Sequence, residues 1–589
     1  MNQWNLSLIF KTPEDFNKSL ERLKAVSYEM AKFKGKLGKP EELKKYLDLQ
    51  LEVEESLSKA YSYASMKSHL NFKDVTLQED LVKVTNILNE LVQNTSFESP
   101  EIISLGEEYI NKFLNDNPKY KQFTFSYQKL FRLQKHVLSA SLEEQLSLFN
   151  QVLNEGSKLY DMLSAADGKE KIVKLSDNRE VQVTQGNWRN LIAELKDPND
   201  RKLVFEAIFS SYEANKNTYA EIYNTVMQSE LAYARAKKYP SIIEAHLFPN
   251  NIPLEVFTSL IEVTSTHTEA LKKYYELRRK YLHLDVHHTY DRFIQLASSN
   301  KKYTYDQAKE FFFESIDKFP EDFKNKAREV TKDGYVDVYE KEGKRSGAYS
   351  TGGSNMHPFI LLNFDGALDD VFTLAHESGH SIHTLYSMEG QPLMTQGYTI
   401  FVAEIASTFN EHNLLDFMIE KGELSKEEKI MLLQKSIDEI CSTFYRQALF
   451  GQYEYEVSKL VEKGEGLNYQ VLSKIMVDLY KQYYGLDITT ERVKEYVWAY
   501  IPHLFHTPFY VYQYATSFAS SMKIYENVKS GKKDAFNKYI ELLKSGGSDY
   551  PVNQVKKAGV DLTKKDAYLA VANRLTELVD ELEKVLESK

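Results

Sequence analysis

The 589-residue chain is 42% hydrophobic and 27% charged, the composition of an ordinary globular protein long enough to bury a large interior, and this excludes a disordered or low-complexity chain. A formal charge of -11 argues against a broad nucleic-acid surface, because neutralising phosphates takes a concentration of Lys and Arg. Cys441 is the only cysteine, so intrachain disulfides and Cys-rich metal sites are excluded, and a reducing, cytoplasmic setting is expected.

The opening MNQWNLSLIFKTPEDF lacks a basic region followed by a long apolar one, so no secretory signal is expected, and no stretch has the length of a membrane span. Residues 12–116 alternate helix-compatible runs with polar breaks, with Pro at starts and Gly at ends, and predict long antiparallel helices. Ser141 and Glu144 have capping-box spacing ahead of a further amphipathic run. Residues 171–184, KIVKLSDNREVQVT, alternate about a polar turn and predict a hairpin. A soft boundary near Trp188 suggests a helical N-terminal domain with a small hairpin over 1–190 and a second helical domain over 191–589. Asp333-Gly334, between alternating residues, predicts another hairpin over 330–339. The glycines and short apolar run of 347–363 predict a small sheet, whose edge strand over 359–363 could pair with an extended peptide.

Next comes DVFTLAHESGHSIHTLYS, residues 370–387, whose apolar positions fit a buried helix that Asp369 or Asp370 can cap. It contains His376-Glu377-Ser378-Gly379-His380, an H-E-x-x-H motif. Residues four apart share a helix face, so His376 and His380 can offer two imidazoles to one metal ion while Glu377 beside them serves as a general base. A third ligand must come from elsewhere. Residues 397–411, GYTIFVAEIASTFNE, read as a second helix with Glu404, Thr408 and Glu411 along one stripe, and either Glu404 or Glu411 could complete the set.

The pair HESGHSIH at 376–383 and FVAEIASTFNE at 401–411 resembles the oligoendopeptidase F group of thimet-oligopeptidase-like zinc metallopeptidases. The resemblance makes Glu404 the third ligand to one Zn2+ and Glu411 a group that orients a ligand imidazole. It extends to IPHLFHTPFYVYQYA at 501–515, which is similar to the segment that contacts the substrate carbonyl, and so implicates His503 and Tyr514, with His506, Tyr510 and Tyr512 behind them. By spacing alone, Tyr510 and Tyr514 could share one helical face. The loop at 545–551, SGGSDYP, looks like a family loop lining the channel.

The resemblance implies a mainly α, two-lobed helical metallopeptidase enclosing a deep channel, with a small β-sheet beside the motif helix. Its expected substrates are oligopeptides, with no nucleic-acid or membrane partner; the sequence leaves the oligomeric state open. Two rivals are a metallocarboxypeptidase or dipeptide-releasing enzyme, which needs a fixed cation for the substrate carboxylate, and a non-catalytic peptide-binding scaffold with a structural metal, for which Glu377 has no use.

Overall fold

The computed structural model describes residues 2–588 apart from 140, 141, 143, 144, 147, 169 and 170. The capping box expected at Ser141 and Glu144 therefore lies outside the described residues. The architecture is mainly helical with small strand elements. Among the described residues, no helix is long and apolar enough to cross a membrane.

The chain forms two compact units interleaved in sequence. One comprises residues 1–135, 300–422 and 524–560, the other 136–299, 423–523 and 561–589. The boundary expected at 190/191 falls inside the second unit.

In the first unit, Pro13–Ala31, Pro40–Leu70 and Val75–Thr95 pack on one another. Thr12 caps the first of these by accepting from the Asp15 N–H at 3.2 Å, and Pro13 follows where its missing N–H costs nothing. Phe16, Leu20, Leu23 and Met30 recur at helical spacing and are buried, each such side chain contributing roughly 1.5–3 kcal/mol.

Five strands are present among the described residues: β1 (Lys171–Lys174), β2 (Glu180–Val183), β3 (Val336–Asp337), β4 (Tyr349–Gly353) and β5 (Met356–Leu361). The first unit holds β3, β4 and β5 in the order β3-β5-β4, with β3 parallel and β4 antiparallel to β5. Two expectations are corrected here. Asp333-Gly334 turns the chain out of the helix Glu321–Val330 into β3, which pairs with β5 and not with a hairpin partner. The run at 359–363 is not an edge either, since β5 is the central strand and Phe359, Ile360 and Leu361 are all buried. An unbroken apolar run is what burial on both faces demands. The edge nearest the motif helix is β4.

The motif helix spans Leu368–Gly390. Gly366, at φ +89°, turns the chain into it, and Asp370 Oδ2 accepts from the N–H groups of Asp365, Gly366 and Ala367 at 2.9, 2.9 and 3.1 Å. The second helix, Ile400–Lys421, packs along it. They approach closely at Gly379, where a Cβ would lie 2.5 Å from the Ala406 carbonyl oxygen. Beside this contact, buried Asn410 donates from Nδ2 to the Ala375 carbonyl at 3.0 Å.

The second unit contains the β1–β2 hairpin, in the register Lys171↔Val183. Its helices include Arg446–Glu462 and Tyr469–Tyr484, and the terminal helix Asp566–Glu587 packs on Lys426–Glu439 and Glu269–Tyr281. The 501–515 segment is broken: a short helix Pro502–His506 ends, Phe509 takes φ +56°, and a new helix starts at Tyr512.

Candidate active site

The close packing at Gly379 sets the spacing of three side chains from the two long helices of the first unit. His376, His380 and Glu404 offer ligand atoms that all lie within 4.8 Å of one another. Glu404 Oε2 is 3.4 Å from Nε2 of each imidazole, and the two rings stand at 81° with centroids 4.9 Å apart. Glu411 takes a different place, its Oε1 2.5 Å from His376 Nδ1. A proton held there fixes the ring so that Nε2 is the nitrogen turned towards Glu404. Ser407 Oγ donates to Glu404 Oε2 at 2.9 Å, and Thr408 Oγ1 to the Glu404 main-chain carbonyl at 2.6 Å.

Two imidazoles, one carboxylate and a carboxylate behind an imidazole form a donor set that suits a tetrahedral zinc with one open position. A further feature fits such a group. Glu377 is 6% exposed, and its Oε2 is buried with no hydrogen-bond partner. An orphaned buried carboxylate oxygen is costly unless a ligand or reactant serves it.

The electrostatics follow from this crowding. Burial opposes charge on His376, yet the Glu411 carboxylate, through charge and hydrogen bond, pushes its pKa up to about 10. Burial likewise works against the Glu404 carboxylate, and the hydrogen bond and charge of His380 outweigh it, holding the pKa down to about 2. For Glu377 burial wins over the two neighbouring imidazoles, and its carboxyl is pushed above the usual range. Without a metal, the imidazolium proton is the positive charge these carboxylates gather around. An ion bound there takes over that role and must displace the proton.

His376, Glu377, His380 and Glu404 line a cavity of about 480 Å3, within the range of small-ligand sites. Ala348–Gly352 form one wall, so β4 runs alongside the motif helix, tied to it by Ser350 Oγ and Ser381 Oγ at 2.8 Å. Tyr398 lines it too, its ring stacked on His383 at 3.7 Å and its hydroxyl 3.0 Å from Thr384 Oγ1. Burial holds His383 down to about 3, so it is a neutral packing group for Tyr398. Sequence reasoning missed β4 and Tyr398 as walls. The glycines of 347–353 marked a turn-rich stretch without showing which strand faced the motif, and Tyr398 lies outside any periodic pattern.

In the second unit, the 501–515 residues separate into groups. His503 and Tyr510 lie parallel with centroids 6.2 Å apart, and Tyr510 meets Tyr514 edge-on at 5.5 Å. This cluster arises across the break at Phe509, not along one helical face. His506 instead faces Asp161, Nε2 to Oδ1 3.0 Å, and Tyr512 is buried against Phe257.

Comparison with known proteins adds the family. The profile of peptidase family M3 matches residues 191–574, and that of oligopeptidase F matches residues 101–169. Oligopeptidase PepF of Bacillus subtilis is 33% identical over 585 residues, covering 99% of this chain and 87% of that protein. A crystal structure of a Chlamydophila abortus protein superposes with a TM-score of 0.90 at 31% identity, over 99% of this chain and 98% of the other. The crystal structure of oligoendopeptidase-F from Enterococcus faecium gives a TM-score of 0.75 at 25% identity, over 98% and 99%. Whole-length similarity on this scale, with both profiles in their places, means that the chain belongs to peptidase family M3, among its oligoendopeptidase F members.

Proposed function

We propose that this chain is a zinc endopeptidase hydrolysing internal bonds of short to medium unstructured oligopeptides. The observation that carries the reading is the convergence of His376, His380 and Glu404 beside a buried Glu377 whose Oε2 has no partner. These three residues would hold the ion, which when bound supplies Lewis acidity towards a water and the scissile carbonyl. Glu411 fixes the tautomer of His376. Glu377 takes a proton from the attacking water as its oxygen bonds to the carbonyl carbon, and passes it to the amine nitrogen as the C–N bond breaks. Its raised pKa suits both halves of that transfer.

β4 is an edge strand, and its free side offers main-chain donors and acceptors to an extended peptide, a recognition mode that a folded domain cannot enter. Imidazole and phenol donors for the negative charge on the carbonyl oxygen are assigned to His503, Tyr510 and Tyr514, on the family resemblance and their clustering. The cavity wall contains no Lys or Arg among the described residues, which weighs against a carboxypeptidase that must fix a terminal carboxylate.

The test is digestion of a mixed pool of unstructured peptides, read by mass spectrometry, with and without a chelator and with Glu377→Gln in parallel. Internal cleavage that both treatments abolish is expected. Trimming only from the C-terminus would move the reading to the carboxypeptidase, and no cleavage by a zinc-loaded chain would end the enzyme reading.

A further inference from the structure

The second unit holds a group of cations, one buried and two half-buried, with no carboxylate against them. Arg292, Arg446 and Lys494 line one narrow cavity, with Arg189 and the rings of Phe205 and Phe209. Lys494 is only 5% exposed, and the two arginines are half-buried. Among the described residues, no carboxylate oxygen comes within 4.0 Å of any of these three head groups. The carboxylates whose charge reaches them are committed elsewhere. Glu491 accepts from the Thr289 N–H at 2.7 Å and hydroxyl at 2.6 Å. Asp438 accepts from the Tyr274 hydroxyl at 2.7 Å and Gln434 at 3.2 Å.

The other neighbours are too few or too weak to balance the charge. Lys494 hydrogen-bonds the Tyr480 phenol, one group against three cations. Ring faces lie under the head groups, Phe293 4.5 Å from Arg292, Phe450 5.1 Å from Arg446 and Phe209 5.4 Å from Lys494. Such contacts are worth less than the hydration a buried, unpaired cation gives up. Burial and the charge of Arg446 together push Arg292 down to about 10, a sign of this crowding. Arg189 donates to the Tyr500 hydroxyl at 3.1 Å and Trp188 Nε1 to the same oxygen at 3.2 Å, which leaves the phenolic hydrogen of this cavity-lining residue available as a further donor.

We propose that this cavity binds one small monovalent anion, of which chloride is the common solution form. Size selects the class. The cavity is narrow and has room for about one water-sized body, which suits a single small ion. The three cations stand on separate elements: the turn Asp291–Phe293, the first residue of the helix Arg446–Glu462 and the first of the segment Lys494–Tyr500. An anion between them relieves their repulsion and ties the elements together. The last element runs straight into Pro502–His506, so anion occupancy also steadies the segment carrying His503, Tyr510 and Tyr514. That effect on turnover rests on the function proposed above; the binding does not.

Bromide serves as the probe. Crystals of the full chain soaked in sodium bromide should show one anomalous peak between Arg292, Arg446 and Lys494. At fixed ionic strength, with gluconate replacing chloride, Tm should rise saturably with chloride, and Arg446→Gln should raise the half-saturating concentration at least tenfold while far-UV circular dichroism stays unchanged. If that variant fails to fold, the wild-type peak and the chloride-specific saturation still decide. No peak, or identical melting curves in chloride and gluconate, overturns the proposal, and a peak without saturation in solution means binding at crystal concentration only and overturns it too. A chain that binds bromide this way yet cleaves no peptide would retain the anion site and lose the peptidase reading.

Discussion

Gly379→Ala tests whether the close contact of the two long helices sets the donor spacing. The added Cβ would lie 2.5 Å from the Ala406 carbonyl oxygen and 2.7 Å from the Ala406 carbonyl carbon and Ser407 Cα, all main-chain atoms with no rotamer to escape into. Ordinary contact begins at 3.4 Å, so the helices must part by about 0.9 Å. Overpacking of this kind costs roughly 1–3 kcal/mol, offset by about 1 kcal/mol of helix propensity gained on replacing Gly, for a net loss of about 0–2 kcal/mol. The metal site feels the shift more, because ligand distances tolerate about 0.2 Å and Glu404 sits on the displaced helix. Zinc affinity should fall at least about tenfold, or ~1.4 kcal/mol, with helix content kept. Competition with a chromophoric chelator measures the first, and far-UV circular dichroism melts the second. Wild-type zinc affinity in a folded variant would refute the reasoning.

Glu411→Ala removes the carboxylate that orients His376 and should weaken zinc binding about 10–100-fold without removing a ligand, measured by the same competition. Because His376 is held up to about 10, the metal-free chain keeps that proton at pH 8, and zinc must expel it. Calorimetric titrations in buffers of different ionisation enthalpy should register about one proton released per zinc there, falling towards zero in Glu411→Ala. The same linkage sets the stability of the metal-free chain. The raised His376 contributes fully below its unfolded value near 6.5 and loses its contribution as pH rises through about 10. The depressed Glu404 contributes above about 4.5 and loses it as pH falls towards about 2. Thermal melts of chelated protein should therefore decline from pH 7 to 10, and the decline should vanish in Glu411→Ala. Asn410→Ala breaks the buried bridge to the Ala375 carbonyl and should cost roughly 1–3 kcal/mol in urea unfolding.

Much of the site was legible because helix periodicity fixes it locally. The i, i+4 spacing of His376 and His380 and the stripe of Glu404 and Glu411 follow from 3.6 residues per turn once each helix is recognised. Choosing between the two glutamates was not local. It depends on how far the helices approach, which Gly379 decides through a contact with a residue 27 positions on. Strand pairing was the harder part. The sequence marks Asp333-Gly334 as a turn, but a turn does not say whether the next strand returns or crosses over, and β3 pairs parallel to β5 through carbonyls at Tyr335 and Asp337. The run at 359–363 showed its apolar character correctly, and it is the reading of that character as an edge that failed, since burial on both faces belongs to a central strand. Pro508 marks a stop just before Phe509, but no Gly or Asn announces the positive φ that follows, so the spacing of Tyr510 and Tyr514 suggested a shared helical face that the break does not provide. The interleaving of the units has no local signature either, because it depends on which distant segments pack together.

The most direct test of the central claim is zinc content and peptide turnover measured on the same samples of wild type, Glu404→Ala and Glu377→Gln. The account predicts one zinc per chain and full turnover for wild type, loss of both in Glu404→Ala, and retained zinc with turnover reduced by about 10²–10⁴-fold in Glu377→Gln. A Glu404→Ala chain that keeps stoichiometric zinc and cleaves peptides, or a Glu377→Gln chain that cleaves at the wild-type rate, would contradict it.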